Sequence, residues 1–292
     1  MTQPAADTLA MDGSVLAGLV GRSIALSRTP AMHEAEGRAQ GIDYTYTLFD
    51  MDDPATAVRT LAGIIETAEA EGFAGLNVTY PFKIETIRHL YELSDDARAV
   101  GAVNTIVFRD GRRKGYNTDL WGFAESFRRG MGDAAVDEVL LLGAGGAGVA
   151  VSHALLSLGV RCLWIFDIDA GRVTQLIEAL AARFGRGRAM MAASPESVAP
   201  RLDGVVNATP VGMAKLPGSP FPTAFLRSDL WVADIVYVPL ETELLAAARR
   251  AGCRVLSGSG MAVFQAVRAF ELITGKRPDP SRMRQTFEAL GP

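Results

Sequence analysis

Six consecutive residues, Gly143-Ala144-Gly145-Gly146-Ala147-Gly148, carry the spacing G-x-G-x-x-G. They follow an apolar run at 139–142 and precede a segment of small residues at 149–158, closed by Gly159. A second apolar run, 162–166, ends at Asp167, 24 residues after Gly143. The three spaced glycines have separate uses. The first permits a tight turn, the second lets the backbone approach a pyrophosphate, and the third lets a helix pack closely on a strand. A helix opening inside the motif turns unpaired N–H groups and a positive dipole end toward phosphate. An acid roughly 20 residues on can accept from ribose hydroxyls. A glycine-rich turn alone says little. Strand, turn, helix, strand and acid in that order predict dinucleotide binding.

The acid also bears on which dinucleotide. A carboxylate accepts hydrogen bonds from the 2′- and 3′-hydroxyls of an adenosine ribose and repels a 2′-phosphate, which calls for a nearby arginine. Asp167 therefore points to NAD rather than NADP. Arg172, five residues on, could serve a 2′-phosphate, stack on adenine, or stand as a solvated helix charge. The last two together outweigh the first.

These residues need a scaffold, and the apolar runs predict one. In the first third, strands at 15–20, 44–49 and 75–78 alternate with helices at 30–40, 55–71 and 84–92. Strands at 103–108 and 113–116 flank Asp110-Gly111, a hairpin signal. A helix at 119–129 leads into the glycine unit. That unit continues with a helix at 172–184, strands at 204–207 and 231–235, a helix at 240–251 and a strand at 254–256. A long helix at 261–274 and a last one at 281–290 close the chain. Such alternation predicts an α/β fold, since parallel strands need helical crossovers. Two α/β units with no low-complexity linker suggest a cleft between them, a common place for a ligand.

Length, 292 residues, agrees with about two domains. With 49% apolar and 21% charged residues, the composition is that of a globular protein with a sizeable core. The net charge of −4 gives no reason to expect nucleic acid or an anionic membrane as partner. Cys162 and Cys253 sit in or beside apolar runs, which predicts core thiols rather than a disulfide or metal pair. His33, His89 and His153 have no metal-ligand spacing, so no metal is expected. No apolar run approaches the ~20 residues of a membrane span. The start, MTQPAADTLAMDGS, lacks a basic stretch followed by an apolar one; it reads as a short disordered lead, and the expected location is the cytoplasm.

Four short polar stretches fall at predicted element ends: Ser27-Arg28-Thr29-Pro30-Ala31-Met32-His33, Asn77-Val78-Thr79-Tyr80-Pro81-Phe82-Lys83, Gly101-Ala102-Val103-Asn104-Thr105 and Gly115-Tyr116-Asn117-Thr118-Asp119. With Gly258-Ser259-Gly260-Met261-Ala262-Val263-Phe264-Gln265-Ala266, they resemble the shikimate/quinate dehydrogenase family. The order is right over nearly the whole chain. The string SRTPAMHEAEG looks most like the NAD-dependent quinate/shikimate branch. The resemblance implies a discontinuous substrate-binding domain, 1–118 with 259–292, and a Rossmann-type NAD-binding domain, 119–258, with the active site in the cleft between them.

It also implies roles. Lys83 and Asp119 match the pair placed on the reacting hydroxyl. That suits the chemistry, because oxidising a secondary alcohol needs a group to take the hydroxyl proton as hydride leaves the same carbon, and a lysine beside a carboxylate can do so. The bland alternative is a surface salt bridge. Ser27 and Thr29 match the hydroxyls that bind the substrate carboxylate; alone they read as an N-cap for the helix at Pro30. Asn77, Thr79 and Asn104 match positions on the ring hydroxyls, though each alone is an ordinary turn residue. Gln265 and Tyr237 match substrate-side positions. Thr209, Val211, Val236 and Gly258 match the cofactor side, and Met261 a place beside the nicotinamide.

There are departures. Biosynthetic members usually carry serine where this chain has Thr29, and the extra methyl restricts χ1 at the carboxylate end of the pocket. NADP-using members usually have a basic run after the second strand, where this chain has Phe166-Asp167-Ile168-Asp169. Ser257 stands where the family often has aspartate. The expected activity is NAD-dependent interconversion of shikimate with 3-dehydroshikimate, and of quinate with 3-dehydroquinate, by a monomer or homodimer acting on small molecules. The rival readings are a biosynthetic NADP-type shikimate or amino-shikimate dehydrogenase and, from another class, a non-catalytic NAD-binding sensor. An intact Lys83 and Asp119 argue against the sensor.

Overall fold

The computed structural model describes residues 13–57 and 59–291, so the N-terminal lead up to residue 12 lies outside it. The chain divides into two units: one runs up to Thr118 and takes in Gln265–Gly291, and the other is Asp119–Phe264.

The first unit opens with β1 (Ser14–Gly21), α1 (Thr29–Ala39) and β2 (Asp43–Asp50). In β2, Tyr44 and Tyr46 are buried while Asp43 and Thr45 are exposed, the period-2 pattern of a strand with one face on a core. Next come α2 (Pro54–Ala57), α3 (Leu61–Ala70), β3 (Gly75–Val78), a 3-10 turn (Glu85–His89), β4 (Glu92–Leu93), α4 (Asp95–Val100), β5 (Thr105–Arg109) and β6 (Arg112–Tyr116). The strands form one sheet in the order β2-β1-β3-β5-β6-β4. β1 pairs parallel with β2 and β3, whereas β5 is antiparallel to β3 and β6. Val20, Phe49, Ile64, Ile65, Leu76 and Ile106 meet in its core.

Two expected helices are corrected. The helix at 55–71 is two helices, because the Thr60 hydroxyl accepts the Gly63 N–H at 3.1 Å and starts α3 afresh. The helix at 84–92 is only a 3-10 turn. Pairing takes its end: the Tyr91 N–H donates to the Arg113 carbonyl, and Glu92 lies opposite Lys114 of β6.

The second unit contains α5 (Thr118–Met131) from Asp119 onward, β7 (Glu138–Leu142), α6 (Gly146–Ser157), β8 (Cys162–Phe166), α7 (Ala170–Phe184), β9 (Ala189–Met191), α8 (Pro195–Val198), β10 (Gly204–Asn207), β11 (Trp231–Asp234), α9 (Glu243–Arg250) and β12 (Arg254–Ser257). Its sheet runs β12-β11-β10-β7-β8-β9, parallel throughout. The order reverses between β7 and β10, the switch point where ligands bind outside the carboxyl ends of open α/β sheets. β9 and α8 were not anticipated. The expected helix at 240–251 starts later, because the Thr242 hydroxyl caps α9 by accepting the Leu245 N–H at 3.2 Å. Leu140, Leu142, Val205, Val232, Leu244 and Leu245 share the core. Cys162 and Cys253 are buried free thiols.

Helix α10 (Ser259–Thr274) gives its start to the second unit and Gln265 onward to the first; α11 (Pro280–Ala289) completes the first. There, Glu36 of α1 is fully buried. Burial opposes its charge, but Arg282 at 2.7 Å, the Gln40 amide and the Asp279 N–H outweigh that and hold the carboxyl below its ordinary range. Among the described residues, no helix is long and apolar enough to cross a membrane, and no group of three or more His, Cys, Asp or Glu could hold a metal ion.

Candidate functional site

In the second unit the glycine turn joins β7 to α6. Gly143 takes φ +98°, and its N–H donates to the Phe166 carbonyl at 2.8 Å. At Gly148 a Cβ would lie 2.0 Å from the Gly143 carbonyl oxygen, so only glycine lets the helix sit so close to its own turn. Gly145 and Gly146 differ: a Cβ on either would meet nothing within 4 Å. The turn is thus closed at its ends and open in its middle. Gly145 is the N-cap residue of α6, and no side chain caps the helix there, which leaves its first N–H groups to another acceptor.

Asp167 follows β8, and its carboxylate is already at work. One oxygen accepts the Ala144 N–H at 2.7 Å and the other the Asp169 N–H at 2.9 Å. The acid and the glycine turn are therefore brought together. A carboxylate oxygen has room for a further donor, so two ribose hydroxyls fit the chemistry of Asp167. Arg172 is mostly exposed and forms an ion pair at 3.3 Å with Asp169, the cap of α7. Ala147 lies half-buried in the first turn of α6.

Across the switch point, Thr209, Val211 and Val236 are joined by two residues the sequence reading passed over. Asn207 and Asp234 end β10 and β11 as register partners, at 0% and 1% exposure. Asn207 Oδ1 accepts from the Thr209 N–H and hydroxyl at 2.9 and 2.7 Å, and its Nδ2 donates to the Val211 carbonyl and to Asp234. Asp234 Oδ1 also accepts the Val236 N–H at 3.0 Å, and Oδ2 accepts the Thr242 hydroxyl at 2.7 Å. Burial pushes the Asp234 carboxyl up from its ordinary range, against the pull of these donors. Tyr237, next along, is exposed. Gly258 abuts the same loop, where a Cβ would lie 2.3 Å from the Ile235 carbonyl oxygen. Gly258 and Met261 line a small pocket with Phe123, Ser126 and Asp234. An acid closing an apolar run, Trp231-Val232-Ala233-Asp234, was the available signal.

In the first unit, Asn77 lies in β3, and Thr79 and Lys83 follow in the segment after its carboxyl end. Thr79 is anchored through its N–H to the Val20 carbonyl at 3.0 Å, and the Lys83 carbonyl accepts the Val103 N–H at 2.8 Å, beside Asn104. Lys83 is half-buried. Asn104, 2% exposed, receives the Thr118 N–H on Oδ1 at 2.7 Å and donates from Nδ2 to the Thr118 hydroxyl at 3.0 Å. Its side chain thereby holds the start of α5, whose first turn carries Asp119, 8% exposed. Asn77 is committed inward: Oδ1 accepts the Tyr46 hydroxyl at 2.8 Å, while Nδ2 donates to the Thr105 hydroxyl and the Asn104 carbonyl.

Ser27 and Thr29 do not cap α1, the alternative their types allowed. The N-cap residue is Arg28, with no side-chain bond to the helix, and the Ser27 hydroxyl accepts the Thr29 N–H at 3.3 Å. Arg28 instead reaches the carbonyls of Phe287 and Gly291. Gln265 is half-buried on α10.

Residues 19–106 match the model for the shikimate dehydrogenase substrate binding domain, and residues 258–286 that for the shikimate 5′-dehydrogenase C-terminal domain. A shikimate dehydrogenase (NADP(+)) of Streptomyces avermitilis is 51% identical over 274 residues, covering 92% of this chain and 94% of the relative. A quinate/shikimate dehydrogenase (NAD(+)) of Corynebacterium efficiens is 46% identical, covering 95% and 99%. Among solved structures, quinate dehydrogenase from Corynebacterium glutamicum in complex with NAD superposes with a TM-score of 0.91 at 44% identity, covering 94% of this chain and 99% of that one.

Proposed function

The chain belongs to the shikimate dehydrogenase family, and from that premise we propose that it is an NAD-dependent dehydrogenase acting at the C3 hydroxyl of shikimate and quinate. The single observation that carries the cofactor choice is Asp167, a carboxylate latched to the glycine turn, with the nearby Arg172 engaged by Asp169. Similar relatives carry both NAD(+) and NADP(+) in their names, so likeness alone does not decide.

The open middle of the glycine turn and the uncapped start of α6 fit a pyrophosphate, and Asp167 fits a ribose diol. NAD, when bound, supplies the acceptor for hydride. This chain's residues do the rest. Lys83, in its neutral amine form, takes the proton of the hydroxyl being oxidised, with Asp119 as its partner in the proton transfer. Asn104 offers its second Nδ2 hydrogen, which has no partner among the described residues, to a ring hydroxyl. Ser27 and Thr29, relieved of capping, donate to the substrate carboxylate, with Thr79, Gln265 and Tyr237 on the remaining polar groups. Asn77 supports this set from behind, since its amide hydrogens are already used. The protein works in the cytoplasm on these small molecules, as a monomer or homodimer.

Initial rates with quinate and shikimate, each with NAD and NADP, test the reading. Turnover of either acid with NAD, and much less with NADP, is the expected result. No oxidation of either acid overturns the substrate assignment, and equal or better rates with NADP overturn the cofactor assignment.

A further inference from the structure

A fully buried carboxylate that takes no part in the proposed chemistry calls for an explanation. Asp234 is 1% exposed, and burial raises its pKa, so the fold bears a cost for keeping it charged. Its sheet does not need it. β10 and β11 already pair along Gly204–Asn207 and Trp231–Asp234 through their backbones. What Asp234 holds is beyond the sheet: Val236 through its N–H, the start of α9 through Thr242, and Asn207. Asn207 in turn holds Thr209 twice and Val211 once. The Thr242 hydroxyl both donates to Asp234 and accepts from Leu245, and the Thr209 hydroxyl both donates to Asn207 and accepts from Val211. Both Nδ2 hydrogens of Asn207 and both carboxylate oxygens of Asp234 are engaged. Such a closed network has one low-energy arrangement, and it loses a partner for every group removed.

We propose that Asp234, with Asn207 and Thr242, is a positioning residue for the cofactor: the three fix the loops 207–211 and 234–242 at the carboxyl end of the parallel sheet in the shape that receives the nicotinamide half. The proposal rests on the reading that this unit binds NAD. It extends that reading to residues whose side chains are committed to these loops.

Three variants of the full-length chain test it. Asp234→Asn keeps the shape and the α9 cap but presents an N–H₂ group to at least one donor. Thr242→Val removes the hydroxyl, and Thr242→Ser retains it. For each, NADH affinity is measured by fluorescence titration, KM for NAD and for shikimate by initial rates, and folding by thermal unfolding. Losing one hydrogen bond to a buried charged group corresponds to about tenfold or more in affinity where loop placement limits binding. Asp234→Asn and Thr242→Val are therefore expected to raise the NADH Kd and the KM for NAD by about that factor, with the KM for shikimate within about twofold of wild type. Thr242→Ser is expected to restore wild-type values. Unchanged NADH binding in folded Asp234→Asn and Thr242→Val overturns the proposal. So does a parallel rise of both KM values with a lowered Tm, since that marks a merely structural network. A wild-type chain that binds neither NADH nor NADPH refutes the earlier reading before any variant is made, and this proposal with it.

Discussion

Lowering the pH from 7 to 5 should take about 2 kcal/mol from the stability of the first unit through one side chain, His33. Its ring is fully buried and edge-on to Tyr44, Tyr46 and Phe270, at centroid distances of 5.6, 5.2 and 5.7 Å. Nδ1 lies 2.9 Å from the Tyr44 hydroxyl. Nε2 faces the Ala266 backbone without a well-formed hydrogen bond. Burial holds its pKa down from 6.5 to about 3, with the Ala266 backbone pulling weakly the other way. An unfolded chain protonates this imidazole near pH 6.5, whereas the folded chain does not until about 3. The stability is therefore whole above 6.5 and is lost as pH falls from there toward 3, at about 1.4 kcal/mol per unit. That gives about 2 kcal/mol at pH 5. His33→Asn places an acceptor near the Nδ1 position for Tyr44 and cannot titrate. All three tryptophans, Trp121, Trp164 and Trp231, lie in the second unit. Hydrogen exchange of β1 and β2 amides is thus the assay, comparing wild type and variant at each pH so that intrinsic exchange rates cancel. Protection should fall between pH 7 and 5 by about 30-fold more in wild type than in the variant. Equal losses in the two proteins would refute the assignment of a buried, neutral His33.

Other expectations follow from the site. Lys83→Ala should lower kcat by about 10²–10⁴, the usual range for general acid–base catalysis, and leave NADH affinity nearly unchanged; a near-normal kcat with only a raised KM would make the lysine a binding group. Asp119→Asn should also slow turnover, and the double variant should be little worse than the poorer single one, because groups acting as a unit are non-additive. Asp167→Ala should weaken NAD use and raise relative NADP use, read as the ratio of kcat/KM values. Thr29→Ser should shift the quinate-to-shikimate ratio of kcat/KM more than it shifts Tm, while Thr29→Val should weaken both substrates by about 1–3 kcal/mol if the carboxylate loses a buried donor.

What could be read from the sequence was whatever a short stretch decides alone. The β7–turn–α6–β8 unit was legible because Gly143 and Gly148 answer local needs, a positive φ and a close approach, and because β7 is buried on both faces as its apolar run suggests. The break between α2 and α3 was equally local, a capping threonine at 60, but apolar periodicity on both sides masked it. The 84–92 segment could not be read locally, since pairing of Glu92 with β6 decides its end. Asn207 and Asp234 escaped for the same reason. Each looks like a turn residue until the parallel register sets them side by side. The inward commitment of Asn77 depends on Tyr46 and Thr105, which belong to separate strands. The alternative cap role of Ser27 and Thr29 is not taken up because helix α1 begins at Thr29 itself, with Arg28 drawn off to the carbonyls of Phe287 and Gly291.

The burial of Glu36 against Arg282 has a consequence for how the polypeptide is made. A ribosome completes Asp119–Phe264 as one uninterrupted stretch, so that unit has all its residues as soon as they emerge. The other unit has its β1 and α1 first, but Arg282, which neutralises Glu36, and the Asp279 N–H, which donates to it, are synthesised only after the whole of Asp119–Phe264. At typical rates of about 5–20 residues per second, its opening segment waits roughly 12–50 seconds for them. Until then a carboxylate destined for the interior has Gln40 beside it and not its cation, and a segment made before Asp119–Phe264 can settle only after it.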